Sequence, residues 1–166
     1  SSMYANEITA TFEAALASVP YAIGVNNHMG SVLTASGQAL QPLMNVIKHT
    51  GLFFVDSRTT RFTVAQQVAR EKQIPNARRH VFLDHEQTEA FMNEQWQRAI
   101  ALTRKHPKVI IIAHPHPGTI EFLQEKLANL PAQHFALKSM HDYFAKPDTP
   151  QREYASSTQV SVAAPN

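Results

Sequence analysis

Several short apolar runs in this chain stop abruptly at clusters of polar, chemically able residues, and that repetition limits the fold more than any single motif does. Tyr21–Val25 leads into Asn26-Asn27-His28-Met29-Gly30-Ser31, and Leu52–Val55 into Asp56-Ser57-Arg58-Thr59-Thr60. Val81–Leu83 leads into Asp84-His85, and Val109–Ala113 into His114-Pro115-His116-Pro117. A shorter fifth run is Phe135–Leu137. Runs of three to five apolar residues without alternation are expected of strands covered on both faces.

Between the runs the apolar spacing changes to that of helices. Ile8, Phe12, Ala15, Leu16 and Val19 form one stripe over about 6–19, ended by Pro20. Leu40, Leu43, Met44 and Ile47 form a second over about 36–49, with Gly51 as its C-terminal cap. Pro42 is expected to lie in the first turn, which would delay the start of that helix. Further helices are expected near 63–73 and 88–105, and another opened by Gly118-Thr119 with Ile120, Leu123, Leu127 and Leu130 inward. Strands alternating with helices imply an α/β domain built on a parallel sheet, open or closed into a barrel. Residues 1–145 are expected to form that domain, and 146–166, rich in Pro, Ser, Thr, Gln and Ala, a poorly ordered tail.

Composition narrows the chemistry. At 166 residues, 43% hydrophobic and 17% charged, the chain has what one ordinary globular core needs. A net charge of +2 from scattered Lys and Arg argues against nucleic acid as a partner. No apolar run approaches the roughly 20 residues of a membrane span, and the first residues lack the pattern of an export signal. With no cysteine, a metal would have to be held by His, Asp or Glu, and there are nine histidines. Gly-rich phosphate loops, a Gly-x-Ser-x-Gly elbow and a His-Glu-x-x-His helix are all missing.

Ends of strands in parallel sheets open onto the face where ligands bind. His28 could there bind a metal, act as acid or base, or anchor a turn, and Asn26 and Asn27 are equally at home in a turn. Asp56 could orient an imidazole, accept a proton or cap the following segment, and Arg58 could pair with it or hold an anion. Asp84-His85 carries the same ambiguity. In His114-Pro115-His116 an extended backbone would point the two rings to opposite sides, which favours His114 as the one facing a site. His49, His80, His106, His134 and His141 fall in helix ends and loops and are expected to be solvated.

Taken together and in order, Gly24-Val25-Asn26-Asn27-His28-Met29-Gly30-Ser31, Phe53-Phe54-Val55-Asp56-Ser57-Arg58-Thr59-Thr60, Val81-Phe82-Leu83-Asp84 and Ala113-His114-Pro115-His116-Pro117 with Thr119-Ile120 resemble the divergent polysaccharide deacetylase family. The resemblance runs from about 5 to 139. It implies a distorted (β/α) barrel and hydrolysis of N-acetyl groups on a carbohydrate or cell-wall glycan, assisted by a divalent metal, zinc first among them. It also implies a periplasmic or secreted location. His28 would be a metal ligand; Asp56, Asp84 and His114 would be catalytic, with His114 as the acid. Asn26, Asn27, Arg58 and His116 would line the substrate site. The family's paired aspartates and first strands have no counterpart here, since the chain contains no Asp-Asp pair. The expectation is therefore the C-terminal two-thirds of such a barrel. Two further readings stand beside it: a non-catalytic glycan-binding barrel that lost the aspartates, and, last, a metal-dependent phosphoesterase.

Overall fold

The computed structural model describes residues 2–145; the tail expected over 146–166 lies outside them. Helix α1 spans Ser2–Ala17, strand β1 Gly24–Asn26, α2 Ser31–Thr34, α3 Gly37–Thr50 and β2 Phe53–Asp56. Next come α4 Ala65–Glu71, β3 Asn76–Arg78, β4 Val81–Phe82, α5 Glu89–Leu102, β5 Ile111–Ile112, α6 Pro117–Ala128 and α7 Met140–Phe144.

All the strand pairs are parallel. β1, β2 and β3 form one sheet, with Val25 opposite Phe54 and Val55 opposite Ala77; β4 and β5 form a second, with Val81 opposite Ile111. The two sheets are joined by one extended segment that changes partner at Arg79-His80. The Arg79 N–H still donates to the Asp56 carbonyl, while the His80 and Val81 N–H groups already donate to Ile110. Because every pair is parallel, all the polar strand ends emerge along one edge. The sheets are open, and no closed barrel forms among the described residues.

Two cores flank this segment. Leu40, Met44 and Ile47 of α3 and Ala65, Val68 and Ala69 of α4 pack on Phe54 of β2. Met92 and Trp96 of α5 and Phe122 of α6 pack around Leu83. α3 begins at Gly37, capped by Ser36 Oγ accepting from the Ala39 N–H at 3.2 Å, so Pro42 lies inside the helix and not in its first turn as expected. Three fully buried side chains on that helix offset the lost N–H.

Several other expectations are corrected. Phe135–Leu137 is not a strand: Phe135 packs into the second core, and Leu137 is 73% exposed. β1 starts only at Gly24, because Tyr21 turns outward at φ 71° and is 97% exposed. Gly24 lies so close under Phe53 that a Cβ there would collide with the ring. β5 shrinks to two half-buried residues, since it has a strand neighbour on only one side. Val19 and Ile120, expected inward, face outward. β3 was hidden by its polar sequence, Asn-Ala-Arg, in which Ala77 alone is buried. α7 does carry a start signal, Ser139 accepting from the Asp142 N–H at 3.0 Å.

Candidate active site

The strand-end residues fall into two groups with opposite habits. After β1 and β2 the polar side chains bond to one another. Asn26 Nδ2 donates to Ser57 Oγ at 3.0 Å, and the Ser57 N–H donates to Asn27 Oδ1 at 2.9 Å. Thr59 Oγ1 donates to the Met29 carbonyl at 3.2 Å, across a loop that reverses through left-handed Met29 and Gly30. Asp56 is 2% exposed, and both carboxylate oxygens are taken: Oδ1 by the Arg58 N–H at 2.8 Å and Oδ2 by Thr63 Oγ1 at 3.0 Å. Arg58 itself sits at φ 52°, an uncommon conformation for a residue with a Cβ. Asn26, Asn27 and Ser57 thus hold the first two loops in register, while Asp56 ties together the segment that follows β2.

After β4 and β5 the polar groups are arranged around an imidazole. Asp84 is 3% exposed, and its Oδ2 accepts from the His114 backbone N–H at 2.7 Å and from Thr119 Oγ1 at 3.0 Å. Oδ1 faces His114 Nδ1 at 3.2 Å. A buried carboxylate on one ring nitrogen fixes the orientation of the imidazole and leaves Nε2 for other work. Thr119, 1% exposed near the start of α6, is a positioning residue that strand-end reasoning alone did not weigh.

His116 is brought to the same place. The chain leaves β5 at Ile112, so His114-Pro115-His116 is not a strand and its rings do not alternate; their centroids lie 5.6 Å apart. Asp84, His114 and His116 each offer one donor atom, all within 4.8 Å of one another. A carboxylate with two imidazoles is a donor set that suits zinc and similar divalent ions. His28 lies outside that trio but close to it, its exposed ring edge-on to His114 at 5.8 Å between centroids. Phe82 packs against His114 at 5.3 Å and against His85 at 5.9 Å. Gln87 Nε2 lies 3.2 Å from His116 Nε2.

Arg79, at the point where the extended segment changes partner, was not singled out as a site residue. Its Nε donates to the Ser57 carbonyl at 2.7 Å and its Nη2 to the Arg58 carbonyl at 2.9 Å, with the guanidinium 5.1 Å above Phe82. His80 and His106 are not the solvated histidines expected. Both are half-buried, 5.3 Å apart ring to ring, and His80 Nδ1 accepts the Ile110 N–H at 3.0 Å.

Comparisons with known proteins identify the family and the fold. The profile of the divergent polysaccharide deacetylases matches residues 1–144. The chain is 40% identical over 129 residues to YibQ of Escherichia coli K12, an alignment covering 78% of this chain and 40% of that protein. It is 46% identical over 110 residues to a protein of Haemophilus influenzae, covering 66% of this chain and 39% of the relative. Both are described only as uncharacterized, and the chain spans about two-fifths of the length of each. The crystal structure of an uncharacterized protein of Agrobacterium tumefaciens C58 has the same fold, with a TM-score of 0.64 at 24% identity over 67% of this chain and 45% of that one. No helix among the described residues is long and apolar enough to cross a membrane. With its profile match over nearly the whole described length, the chain belongs to the divergent polysaccharide deacetylase family.

Proposed function

We propose that the strand-end mouth hydrolyses N-acetyl groups on a carbohydrate or cell-wall glycan. The observation that carries this reading is the Asp84–His114 pair, a buried carboxylate orienting a half-exposed imidazole beside two more, His116 and His28. Asp84 and His116, with His28 close by, would hold a divalent ion of the zinc class. Such an ion, when bound, supplies Lewis acidity toward an acyl carbonyl. His114, fixed by Asp84 on Nδ1, presents Nε2 to the amide nitrogen of the substrate and protonates it as the C–N bond breaks. Phe82 walls the ring on one side and limits water there. His28 stands as a further imidazole for the ion or the sugar. Asn26 and Asn27 act at one remove, by tying the loop that carries His28 to Ser57, and Asp56 by shaping the segment after β2.

The distorted barrel of the family belongs to the same proposal. One edge of β1 is unpaired among the described residues, and Tyr21 and Ile23 beside it are exposed. Such an edge and such side chains suit pairing with a further strand. A periplasmic or secreted location fits a glycan substrate and is proposed with it.

The test combines metal content and acetate release from chitin oligomers, for wild type, His28→Ala and His114→Ala. The expected result is about one divalent ion per wild-type chain, reduced in His28→Ala and kept in His114→Ala, with acetate release lost in His114→Ala. A folded protein that binds the oligomers but holds no metal and releases no acetate would refute hydrolysis and leave a glycan-binding module.

A further inference from the structure

The half of the mouth around Arg58 and Arg79 carries two guanidinium groups with one carboxylate, Asp56, to offset them. Arg79 is half-buried and tied by two hydrogen bonds to the Ser57 and Arg58 carbonyls, which are neutral acceptors. These bonds use Nε and one Nη2 proton, leaving the other guanidinium protons without an acceptor among the described residues. Arg58 is also half-buried, and its side chain makes no ion pair among the described residues. Asp56 forms no ion pair with either guanidinium among the described residues; its oxygens accept from the Arg58 N–H and Thr63.

Electrostatics agrees with the geometry. Burial first, then the like charge of Arg58 and, more weakly, that of Arg98 push the Arg79 guanidinium below the usual arginine range, with Asp56 alone pulling the other way. Holding like charges together in a partly desolvated place is unfavourable unless an anion joins them. Guanidinium groups with free, forked N–H donors are matched to the oxygens of a carboxylate or a phosphate. The place is also next to the chemistry: the Arg79 guanidinium lies over Phe82, and the same ring packs against His114.

We propose that Arg58 and Arg79 form an oxyanion-binding subsite beside the catalytic imidazole, so that the preferred substrate is an acidic glycan and not a neutral one. The proposal rests on the glycan reading above and gives it a substrate class. The oxyanion is a sugar carboxylate or a sugar phosphate, one ring removed from the acetamido group presented to His114. The subsite works by orientation: a charge anchored at Arg58 and Arg79 fixes which sugar of the chain reaches the mouth. Arg79 has a second effect, because the same guanidinium holds the left-handed turn at Arg58.

The experiment follows the arginine Nε–H signals by NMR while inorganic phosphate, glucuronic acid and glucose are added in turn, and measures calorimetric affinities for a neutral N-acetylglucosamine tetramer and for uronic-acid-containing and phosphorylated oligomers of similar length. Saturable shifts of the Arg58 and Arg79 signals with the anions and not with glucose are expected, together with at least about tenfold tighter binding of an acidic oligomer. Arg58→Gln, which leaves the Arg79 clamp on the backbone carbonyls intact, should abolish the preference for acidic over neutral oligomers. A preference for the uronate oligomer alone, or for the phosphate alone, identifies the source of the oxyanion. Anion shifts at the two arginines with no oligomer bound would retain the subsite and sink the glycan reading. Unmoved arginine signals, or equal affinities for acidic and neutral oligomers, would overturn the subsite itself.

Discussion

The two halves of the strand-end edge start from the same sequence pattern and end differently. On the β1–β2 half, Asn26, Asn27 and Ser57 satisfy one another, and Asp56 turns its oxygens to the Arg58 N–H and Thr63 of its own loop. On the β4–β5 half, Asp84 uses its oxygens to aim the backbone and ring of His114, and the ring is left with a free edge. An aspartate at a strand end can thus be a latch or an orienting group. Its partner decides which: hydroxyl and backbone N–H groups for Asp56, an imidazole for Asp84. The comparison predicts that the halves fail in different ways when cut.

The largest effect is expected at His114. His114→Ala removes the group offered to the substrate while Asp84 keeps its bonds to the backbone N–H and Thr119. Acetate release by the full chain should fall by about 10²–10⁴-fold, the usual worth of a general acid, with little change in the urea midpoint. Asp56→Ala should reverse that pattern. It strips the Arg58 N–H and Thr63 of their acceptor in a buried place, at a cost of about 1–3 kcal/mol read from urea unfolding. Residual acetate release per folded molecule should stay within about tenfold of wild type, since Asp56 reaches the chemistry only through the loops. If Asp56→Ala were as inactive as His114→Ala at equal stability, Asp56 would have to be moved from the latch to the reacting groups.

How much of this could be read in the residues follows the same division. The alternation of apolar runs and helical stripes gave the parallel α/β architecture and brought Asp56, Asp84, His28 and His114 to one edge, because parallel strands all end on the same side. Strand-end position could not separate Asp56 from Asp84, since their roles depend on Thr63, Thr119 and backbone N–H groups that come near only after folding. The reading of His116 as turned away failed because alternation ends where the strand ends, at Ile112. Phe135–Leu137 misled because three apolar residues satisfy a core as well in an irregular segment as in a strand. β3 stayed hidden because only Ala77 of its three residues is buried, so its register is set by backbone bonding to β2 and not by an apolar stripe.

The smallest predicted effect concerns the seam between the halves. His80 lies where the extended segment leaves β2 for β5, and its Nδ1 accepts the Ile110 N–H, which requires a neutral ring protonated on Nε2. Burial first, then the nearby charges of His106 and Arg78, lower its pKa from 6.5. A histidine whose pKa is lower folded than unfolded binds more protons when unfolded, so its contribution to stability is present above the unfolded pKa and lost as pH falls through the folded one. Urea midpoints should therefore decline as pH is lowered below about 6.5, the reference value for an unperturbed histidine. The decline should be shallower in His80→Asn, which can still offer an acceptor to Ile110 but cannot be protonated in this range. The first changes in amide exchange on acidification should appear at Ile110 and Val81, whose N–H groups lie at the seam, and later in the β1–β2 latch. If wild type and His80→Asn lost stability in parallel between neutral pH and pH 5, the seam would not be sensitive to pH, and the two halves would have to be treated as one cooperative sheet.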